Sequence, residues 1–114
     1  MSDCLFCKMI AGDIPTDIVY QDDDVFAFRD INPQAPLHVL IIPKLHITTI
    51  NDLEQDHSLL VGKMFLVAKE IAEKEGVSGP GYRTVMNCNA GAGQSVYHIH
   101  LHLLAGRPMT WPPG

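Results

Sequence analysis

The sequence predicts an α+β fold, in which a five-stranded antiparallel sheet packs with one long and one short helix in a single domain spanning residues 1–114. Two observations carry this prediction. Five short segments have the apolar density or two-residue alternation of strands, and most are joined by short turns. One longer segment, beginning near Asn51, has a helical period instead. A chain of this length with 46% hydrophobic residues buries a substantial core.

The first part of the chain is predicted to form the short helix and three strands. The helix covers residues 4–11 and ends at Gly12, since Pro15 prevents its continuation. Strands at residues 18–20 and 25–28 flank an acidic turn of three aspartates, which we interpret as a solvated hairpin turn. The third strand covers residues 37–42, and its continuous apolar run predicts a central position in the sheet.

The long helix is predicted to follow, and then two more strands. Asn51 and Glu54 have the spacing of a capping box, and Gly76 is a suitable stop. Strands are expected at residues 82–87 and 96–104, with a glycine-rich loop between them. The residues that form the apolar stripe of the helix are Leu60, Met64, Val67, Ala68, Ile71 and Ala72.

Three histidines, His98, His100 and His102, alternate with apolar residues near the end of the chain. In a strand, this two-residue period places all three imidazoles on one face and the intervening apolar side chains in the core. Because imidazole titrates near neutral pH, such a row is typical of an active site built on a rigid strand.

The histidine row has other interpretations. A helix would place His98 and His102 on one face, but the strict apolar alternation argues against it. Three strand histidines could also ligate one zinc ion, or be hydrogen-bonded core residues. A core would then have to satisfy several imidazole nitrogens side by side, at about 1–3 kcal/mol for each one left unpaired.

The glycine-rich loop at residues 89–95 leads directly into the histidine row. It lacks the lysine of a P-loop and precedes a strand rather than a helix, so neither a Walker nor a Rossmann site fits. Exposed backbone N–H groups beside three imidazoles would instead form a pocket for an anionic group.

Cys4 and Cys7 have the CxxC spacing common in tetrahedral zinc sites, and zinc binding requires two further ligands. Two purely structural cysteines are an alternative, and a redox pair is another, although no strand precedes the motif. Cys88 has no partner in spacing and is expected to be a buried small hydrophobic residue. Three cysteines, an odd number, favour a reducing compartment.

Charge and hydropathy exclude several classes of partner. The net charge is −5 and the eight lysines and arginines are scattered, which argues against long nucleic acids but permits a single nucleotide. No apolar run approaches the ~20 residues that cross a bilayer, and the chain does not start like a secretory signal. We therefore expect a cytoplasmic protein without a membrane partner.

Residues 98–104 match the signature His-φ-His-φ-His-φ-φ, in which φ is apolar, of the histidine triad family. The flanking residues 93–97, the ending 111–114, and the segments 28–36 and 42–46 resemble its nucleotide-binding branch in particular. The resemblance covers essentially the whole chain, and several motifs agree in order.

The resemblance implies a purine nucleoside phosphoramidase, which cleaves the P–N bond of AMP-amidates through a nucleotidyl-histidine intermediate and works as a homodimer with joined sheets. It makes His100 the nucleophile, with His102, Ser95 and His38 as further catalytic residues. The nucleotide-binding positions that it implies are Phe6, Phe28 and Ile31 at the purine, Asp30 at the ribose, Asn87, Gly93, Ser95, His38 and His102 around the phosphate, and Trp111 reaching toward the partner's site.

The cysteine pair resembles that of zinc-bearing relatives, including the galactose-1-phosphate uridylyltransferases. This resemblance implies a closed structural zinc site made by Cys4, Cys7, His46 and His98. The sequence leaves three rival functions open: a dinucleoside polyphosphate hydrolase, a nucleotide-binding regulatory protein with vestigial catalysis, and a zinc hydrolase that uses the three histidines of the row as ligands.

Overall fold

One antiparallel five-stranded sheet forms the centre of the computed structural model, which describes residues 3–114. The strand order is β1-β2-β3-β5-β4, so β3 is central and β1 and β4 are the edges. This architecture confirms the predicted fold class. The bounds are α1 Leu5–Ile10, β1 Ile18–Gln21, β2 Val25–Arg29, β3 Leu37–Pro43, α2 Ser58–Lys74, β4 Tyr82–Val85 and β5 Leu101–Ala105.

One face of the sheet packs against α2. The alternating side chains of the central strands point to this face and are fully or almost fully buried, as Val39 and Leu103 illustrate. The predicted stripe of α2 covers them, because Met64, Val67 and Ile71 are each at most 3% exposed. Burial of this apolar surface fixes the register of the strands, since a one-residue slip would turn every side chain to the wrong face.

The opposite face of the sheet carries a smaller apolar cluster beneath α1. Its buried members are Phe6 from α1 and Phe26, Phe28, Leu40 and Ile42 from the strands. His38 and His102 alternate with residues of the α2 face and so project to this side as well. The His38 and His102 side chains therefore share one face of the sheet with an aromatic cluster.

The last strand is shorter than predicted. It starts at Leu101 rather than at residue 96, so His98 and His100 precede it. The ladder with β3 ends at the pair Ile41–Leu101, close to Pro43, which has no N–H to donate. The segment before β5 forms a hydrogen bond outside the sheet instead, because the Ile99 N–H donates to the Ile47 carbonyl at 2.8 Å. Likewise, β4 ends at Val85 and not at residue 87.

The start of the long helix also differs from the prediction. The capping box is formed by Thr49 and Asp52 at a short 3₁₀ turn, and not by Asn51 and Glu54. Asn51 lies inside that turn and donates its N–H to Thr49 Oγ1 at 3.1 Å. A second 3₁₀ turn follows, so α2 begins only at Ser58. The side chain of Thr49 thus caps the first 3₁₀ turn. The helical period of the sequence alone does not distinguish this turn from the start of α2.

One smaller prediction is corrected, because Cys88 is half-buried rather than buried. His57, just before α2, is half-buried, and its Nδ1 accepts the Glu54 N–H at 2.9 Å. None of the helices within residues 3–114 has the length and apolar character that crossing a bilayer requires.

Candidate active site and metal centre

A cleft lies between α1 and the sheet face that carries His102. Its enclosed part has a volume of about 170 Å³. Seven of the predicted site residues line it: Phe6, Phe28, Asp30, Ile31, Ser95, His100 and His102. Four further apolar residues, which the sequence did not predict, complete the lining: Leu5, Met9, Leu40 and Val96.

The inner wall of the cleft is aromatic. Phe6 and Phe28 are 3% and 2% exposed, and their rings meet edge to face with centroids 5.4 Å apart. Phe6 also contacts the His100 ring edge to face at 5.1 Å. Ile31, by contrast, is 96% exposed and forms the outer rim. A flat aromatic ring such as a purine base suits a cleft with an aromatic wall and an aliphatic rim, because its faces pack against apolar side chains.

The tautomer of His100 is set by the backbone. Its Nδ1 lies 2.9 Å from the carbonyl oxygen of His98, which only accepts hydrogen bonds. The proton of the neutral ring is therefore on Nδ1, and Nε2 keeps a free lone pair. Burial lowers the pKa of His100, which favours this neutral form, although the hydrogen bond to His98 and the charge of Asp30 oppose the shift.

A second chain of hydrogen bonds sets the tautomer of His102. The Gln34 N–H donates to His38 Nδ1 at 3.0 Å, so the ring proton of neutral His38 is on Nε2. This Nε2 lies 2.9 Å from His102 Nδ1, which must accept, and His102 therefore carries its proton on Nε2. Burial, followed by the nearby His100 and His38, lowers the pKa of His102 to about 4. His102 is thus a neutral donor at physiological pH.

Asp30 stands beside this chain at the mouth of the cleft. Its Oδ1 accepts the Asn32 N–H at 2.8 Å, while Oδ2 lies 3.5 Å from His38 Nε2. Burial lowers the pKa of His38, and Asp30 opposes that shift. Asp30, His38 and His102 offer three ligand atoms close together. The short contact between the two histidines is already satisfied by a shared proton, so this group does not require a metal.

Four of the predicted residues do not line the cleft. His38 lies behind His102, and Asn87 is half-buried in the segment after β4. Gly93 ends a 3₁₀ turn with φ +93°, a conformation that glycine adopts without strain. Trp111 is 83% exposed and has no place in the cleft of its own chain.

A metal-ligating cluster adjoins the cleft. Cys4, Cys7, His46 and His98 each offer one ligand atom, and all four atoms lie within 4.8 Å of one another. The two histidine Nδ1 atoms are 3.2 Å apart. The sulfur to nitrogen distance is 3.3 Å for Cys7 and His46, and His98 lies 3.6 Å from each of the two sulfurs. A tetrahedral zinc ion with ordinary bond lengths would give edges of about 3.3 Å between nitrogens and about 3.5 Å between sulfur and nitrogen. The four residues therefore fit such an ion.

The backbone also prepares His98 as a ligand. His98 is fully buried, and its Nε2 lies 2.8 Å from the Pro43 carbonyl, so the ring proton is on Nε2 and Nδ1 faces the cluster with a lone pair. Burial lowers the pKa of His98 to about 4. Burial, and the neighbouring Cys4, raise the pKa of the Cys7 thiol, so a metal that binds here displaces a proton.

Within the described part of the chain, no metal-ligating cluster unites His98, His100 and His102. His98 faces the cysteines, whereas His100 and His102 face the cleft. The geometry therefore gives no support to a zinc hydrolase that uses the three as ligands. Phe6, located between the two cysteines in sequence, contacts both His98 and His100 and links the two sites.

Sequence reasoning missed the two glutamines that organise the site. Gln34 acts through its backbone N–H, which no residue pattern reveals. Gln94 is 4% exposed, and its side-chain amide bonds to three backbone groups. A buried amide inside a glycine-rich loop is a signal only after the loop is known to fold onto the core.

Comparison with known proteins agrees with this geometry. Residues 3–111 match the family model described as the scavenger mRNA decapping enzyme C-terminal binding domain. A purine nucleoside phosphoramidase of Escherichia coli K12 is 57% identical over 105 residues, which are 92% of this chain and 88% of the relative. A 14 kDa zinc-binding protein of Zea mays is 50% identical over 115 residues, 99% of this chain and 89% of the relative.

Among solved structures, a HIT family hydrolase from Legionella pneumophila Philadelphia 1 superposes with a TM-score of 0.97. It is 59% identical, and the match covers 98% of this chain and 100% of that one. Together with the arrangement of His98, His100 and His102, these matches show that the chain belongs to the histidine triad (HIT) family.

Proposed function

We propose that this chain is a hydrolase of the purine nucleoside phosphoramidase type, which cleaves the P–N bond of AMP-amidates such as adenosine 5′-phosphoramidate or AMP-lysine. The observation that carries the proposal is His100, whose Nδ1 is bound to the His98 carbonyl while its Nε2 lone pair is free beside an aromatic cleft. The 57% identity to the Escherichia coli phosphoramidase supports the choice of substrate.

The reaction takes two displacements at phosphorus. In the first, His100 Nε2 forms a bond to phosphorus, the P–N bond of the substrate breaks, and the amine leaves with an added proton. In the second, water attacks phosphorus, the bond to Nε2 breaks, and AMP is released. Fixing the imidazole before substrate arrives removes an orientational cost from the first displacement.

The chain offers a donor for the phosphoryl oxygens. His102 carries its proton on Nε2 and lines the cleft beside His100, with ring centroids 5.0 Å apart. It is suited to donate to a nonbridging oxygen as negative charge develops there. Because the pKa of His102 is lowered to about 4, this donor stays neutral at pH 7.

The leaving amine needs a proton, and Ser95 is the residue that we assign to its delivery. The exposed Ser95 lines the cleft, whereas His38 lies outside it with its Nε2 engaged by His102. We assign the contact with the bridging nitrogen to the Ser95 hydroxyl, which passes a proton onward from water. General acid assistance of this kind contributes about 10²–10⁴-fold.

The nucleoside is held by the remaining cleft residues. The purine packs between the inner wall, which Phe6 and Phe28 form together, and the rim residue Ile31. The Asp30 carboxylate at the mouth accepts from the ribose hydroxyls. The phosphate then lies at the other end, where His100 and His102 meet the loop of residues 89–95. Gly93 of this loop, and Asn87 just before it, are also assigned to the phosphate.

The metal centre is assigned a structural zinc. Support comes from the fit of Cys4, Cys7, His46 and His98 to a tetrahedron, and from the similarity to the zinc-binding maize protein. All four positions belong to the protein, so none is left for a catalytic water. When bound, zinc supplies cross-linking of α1 to the segments before β5 and after β3.

We assign the active form to a homodimer. The enclosed cleft of about 170 Å³ is small beside typical ligand sites of about 300–1,000 Å³. Trp111 is 83% exposed on its own chain, and β4 has a free edge within the described sheet. Pairing of two β4 edges would join the sheets and bring Trp111 toward the partner's cleft. Sedimentation should then give twice the chain mass of 12.6 kDa, whereas a monomer at working concentration contradicts the assignment.

A reducing compartment, such as the cytoplasm, suits this chain. All three cysteines are free thiols, and two of them belong to the metal centre.

Chromatographic detection of AMP released from adenosine 5′-phosphoramidate tests the proposed function. We expect turnover by the wild type, loss with His100→Ala, and retention with His57→Ala, a matched histidine outside the cleft. Diadenosine polyphosphate is the competing substrate, and its preferential hydrolysis would replace the phosphoramidase assignment. Tight AMP binding without any turnover would favour a binding protein.

A further inference from the structure

The buried side-chain amide of Gln94 makes three hydrogen bonds with backbone groups. Its Oε1 accepts the Asn89 N–H at 2.7 Å. Its Nε2 donates to the Thr48 carbonyl at 2.9 Å and to the Val96 carbonyl at 3.1 Å. Because the partners are one donor and two acceptors, only one orientation of the amide satisfies them.

These bonds close the loop that leads into the site. The Gln94 N–H also bonds to the Asn89 carbonyl at 3.1 Å, so Gln94 holds both backbone polar groups of Asn89. Asn89 has φ +67°, a conformation that a side chain disfavours and that surrounding contacts must maintain. The loop therefore depends on Gln94 for its shape.

The same amide fastens the loop to the rest of the molecule. Thr48 lies two residues after the metal-ligating His46, in a segment that also accepts the Ile99 N–H at Ile47. Val96 lines the nucleotide cleft, and Ser95 stands between Val96 and Gln94. Gln94 thus precedes Ser95 in the chain, and its side chain joins the metal-site segment to the cleft residue Val96 without itself lining the cleft.

We propose that Gln94 is a positioning residue, which holds the loop of residues 89–95 in the conformation that binds the nucleotide phosphate. It does not touch substrate. This inference rests on the proposed function, because it takes the loop and Ser95 as the phosphate end of the nucleotide site.

The test compares ligands with and without a phosphate. Gln94→Met keeps the length of the side chain and removes all three hydrogen bonds, and Gln94→Glu places a second oxygen against the Thr48 and Val96 carbonyls. The control is Val67→Ala, which perturbs the core on the opposite face of the sheet. Calorimetric Kd values are measured for AMP and for adenosine, with folding checked by thermal melting and with zinc content determined for each variant.

We expect Gln94→Met to raise the Kd for AMP about 10- to 100-fold, as if one charged hydrogen bond to phosphate were lost. The Kd for adenosine should change less than about three-fold, since the aromatic wall and Asp30 make no bond to Gln94. With adenosine 5′-phosphoramidate, kcat should fall about 100-fold, because small misplacement of a catalytic group is costly. Val67→Ala should lower the melting temperature and leave the ratio of the two Kd values unchanged.

Equal changes in both Kd values would overturn the proposal, because a merely structural role affects both ligands alike. Unchanged binding and turnover would also overturn it. If Gln94→Met does not yield folded protein, Gln94→Glu decides by the same ratio. Failure of the proposed function would give a different result from failure of the Gln94 proposal. In that case the wild type itself would neither bind AMP more tightly than adenosine nor release AMP from the amidate.

Discussion

Replacement of His102 by glutamine should make the protein less sensitive to acid. In the folded protein the pKa of His102 falls from its ordinary 6.5 to about 4, chiefly through burial. The unfolded chain therefore binds a proton over the pH range in which the folded chain does not. This contribution to stability is present above pH 6.5 and is lost as the pH falls from 6.5 to 4. His102→Gln removes the titrating group, so the variant does not lose stability through it.

The size of the effect follows from the shift. One pKa unit corresponds to about 1.4 kcal/mol, so a full shift would remove about 2 kcal/mol of unfolding free energy between pH 7 and pH 5. His102 is half-buried, and solvent screening reduces this to about 1–2 kcal/mol. Glutamine is a suitable replacement because its amide oxygen accepts from His38 Nε2 as the imidazole does.

Urea unfolding at pH 7 and pH 5 measures the effect, with matched zinc content in both proteins. The measured quantity is the loss of unfolding free energy in the wild type minus the loss in His102→Gln. Titrating groups that do not contact His102 contribute to both losses and cancel. His38 does contact it, and glutamine is chosen because it preserves the acceptor of that hydrogen bond. We expect a difference of about 1–2 kcal/mol. Equal losses would refute the derivation that His102 is held as a neutral donor.

Three further predictions concern the metal, the ribose and the purine. Cys7→Ser should lower zinc per chain, measured by plasma mass spectrometry of chelator-free protein, while Cys88→Ser retains it; equal zinc in both would contradict the ligand set. Asp30→Asn should weaken AMP binding about 10-fold or more but leave binding of 2′,3′-dideoxy-AMP unchanged, by calorimetry, and equal losses would remove Asp30 from the ribose. Phe28→Leu should raise the Kd for AMP about 3- to 10-fold and leave that for ribose 5-phosphate unaltered, whereas an unaltered AMP Kd would contradict the aromatic wall.

The orientation of the histidine row could be predicted although the extent of its strand could not. Only His102 belongs to β5, yet His100 also faces the cleft. The reason is that Ile99 and Leu101 are buried on the α2 side, and their burial imposes the alternation whether or not ladder bonds form. Apolar periodicity therefore reports side-chain direction more directly than it reports strand length.

The residue pattern alone predicted only two of the four metal ligands. The CxxC spacing indicates Cys4 and Cys7 as ligands, but no local sequence pattern links them to His46 and His98. The family resemblance supplied these two histidines. Their convergence depends on tertiary contacts, such as the bond from the Ile99 N–H to the Ile47 carbonyl that brings the two histidine segments together. Long-range hydrogen bonds of this kind produce no periodic pattern in the amino-acid sequence.

The tautomers were beyond sequence reasoning for a similar reason. They are set by backbone groups, namely the His98 carbonyl for His100 and the Gln34 N–H for His38. Every residue other than proline carries these groups, so residue type does not distinguish the ones that matter. The helix start was missed because the side chains of Thr49 and Asp52 cap a preceding turn.

The central claim is that His100 Nε2 becomes covalently bonded to phosphorus. Mass spectrometry tests it on protein mixed briefly with a tryptamine phosphoramidate of AMP and quenched in alkaline denaturant, since a phosphorus–imidazole bond is labile in acid. We predict a transient adduct of one AMP group on the wild type, mapped to His100 and absent from His100→Ala. AMP release with no adduct at any mixing time, or an adduct that survives His100→Ala, would contradict the account.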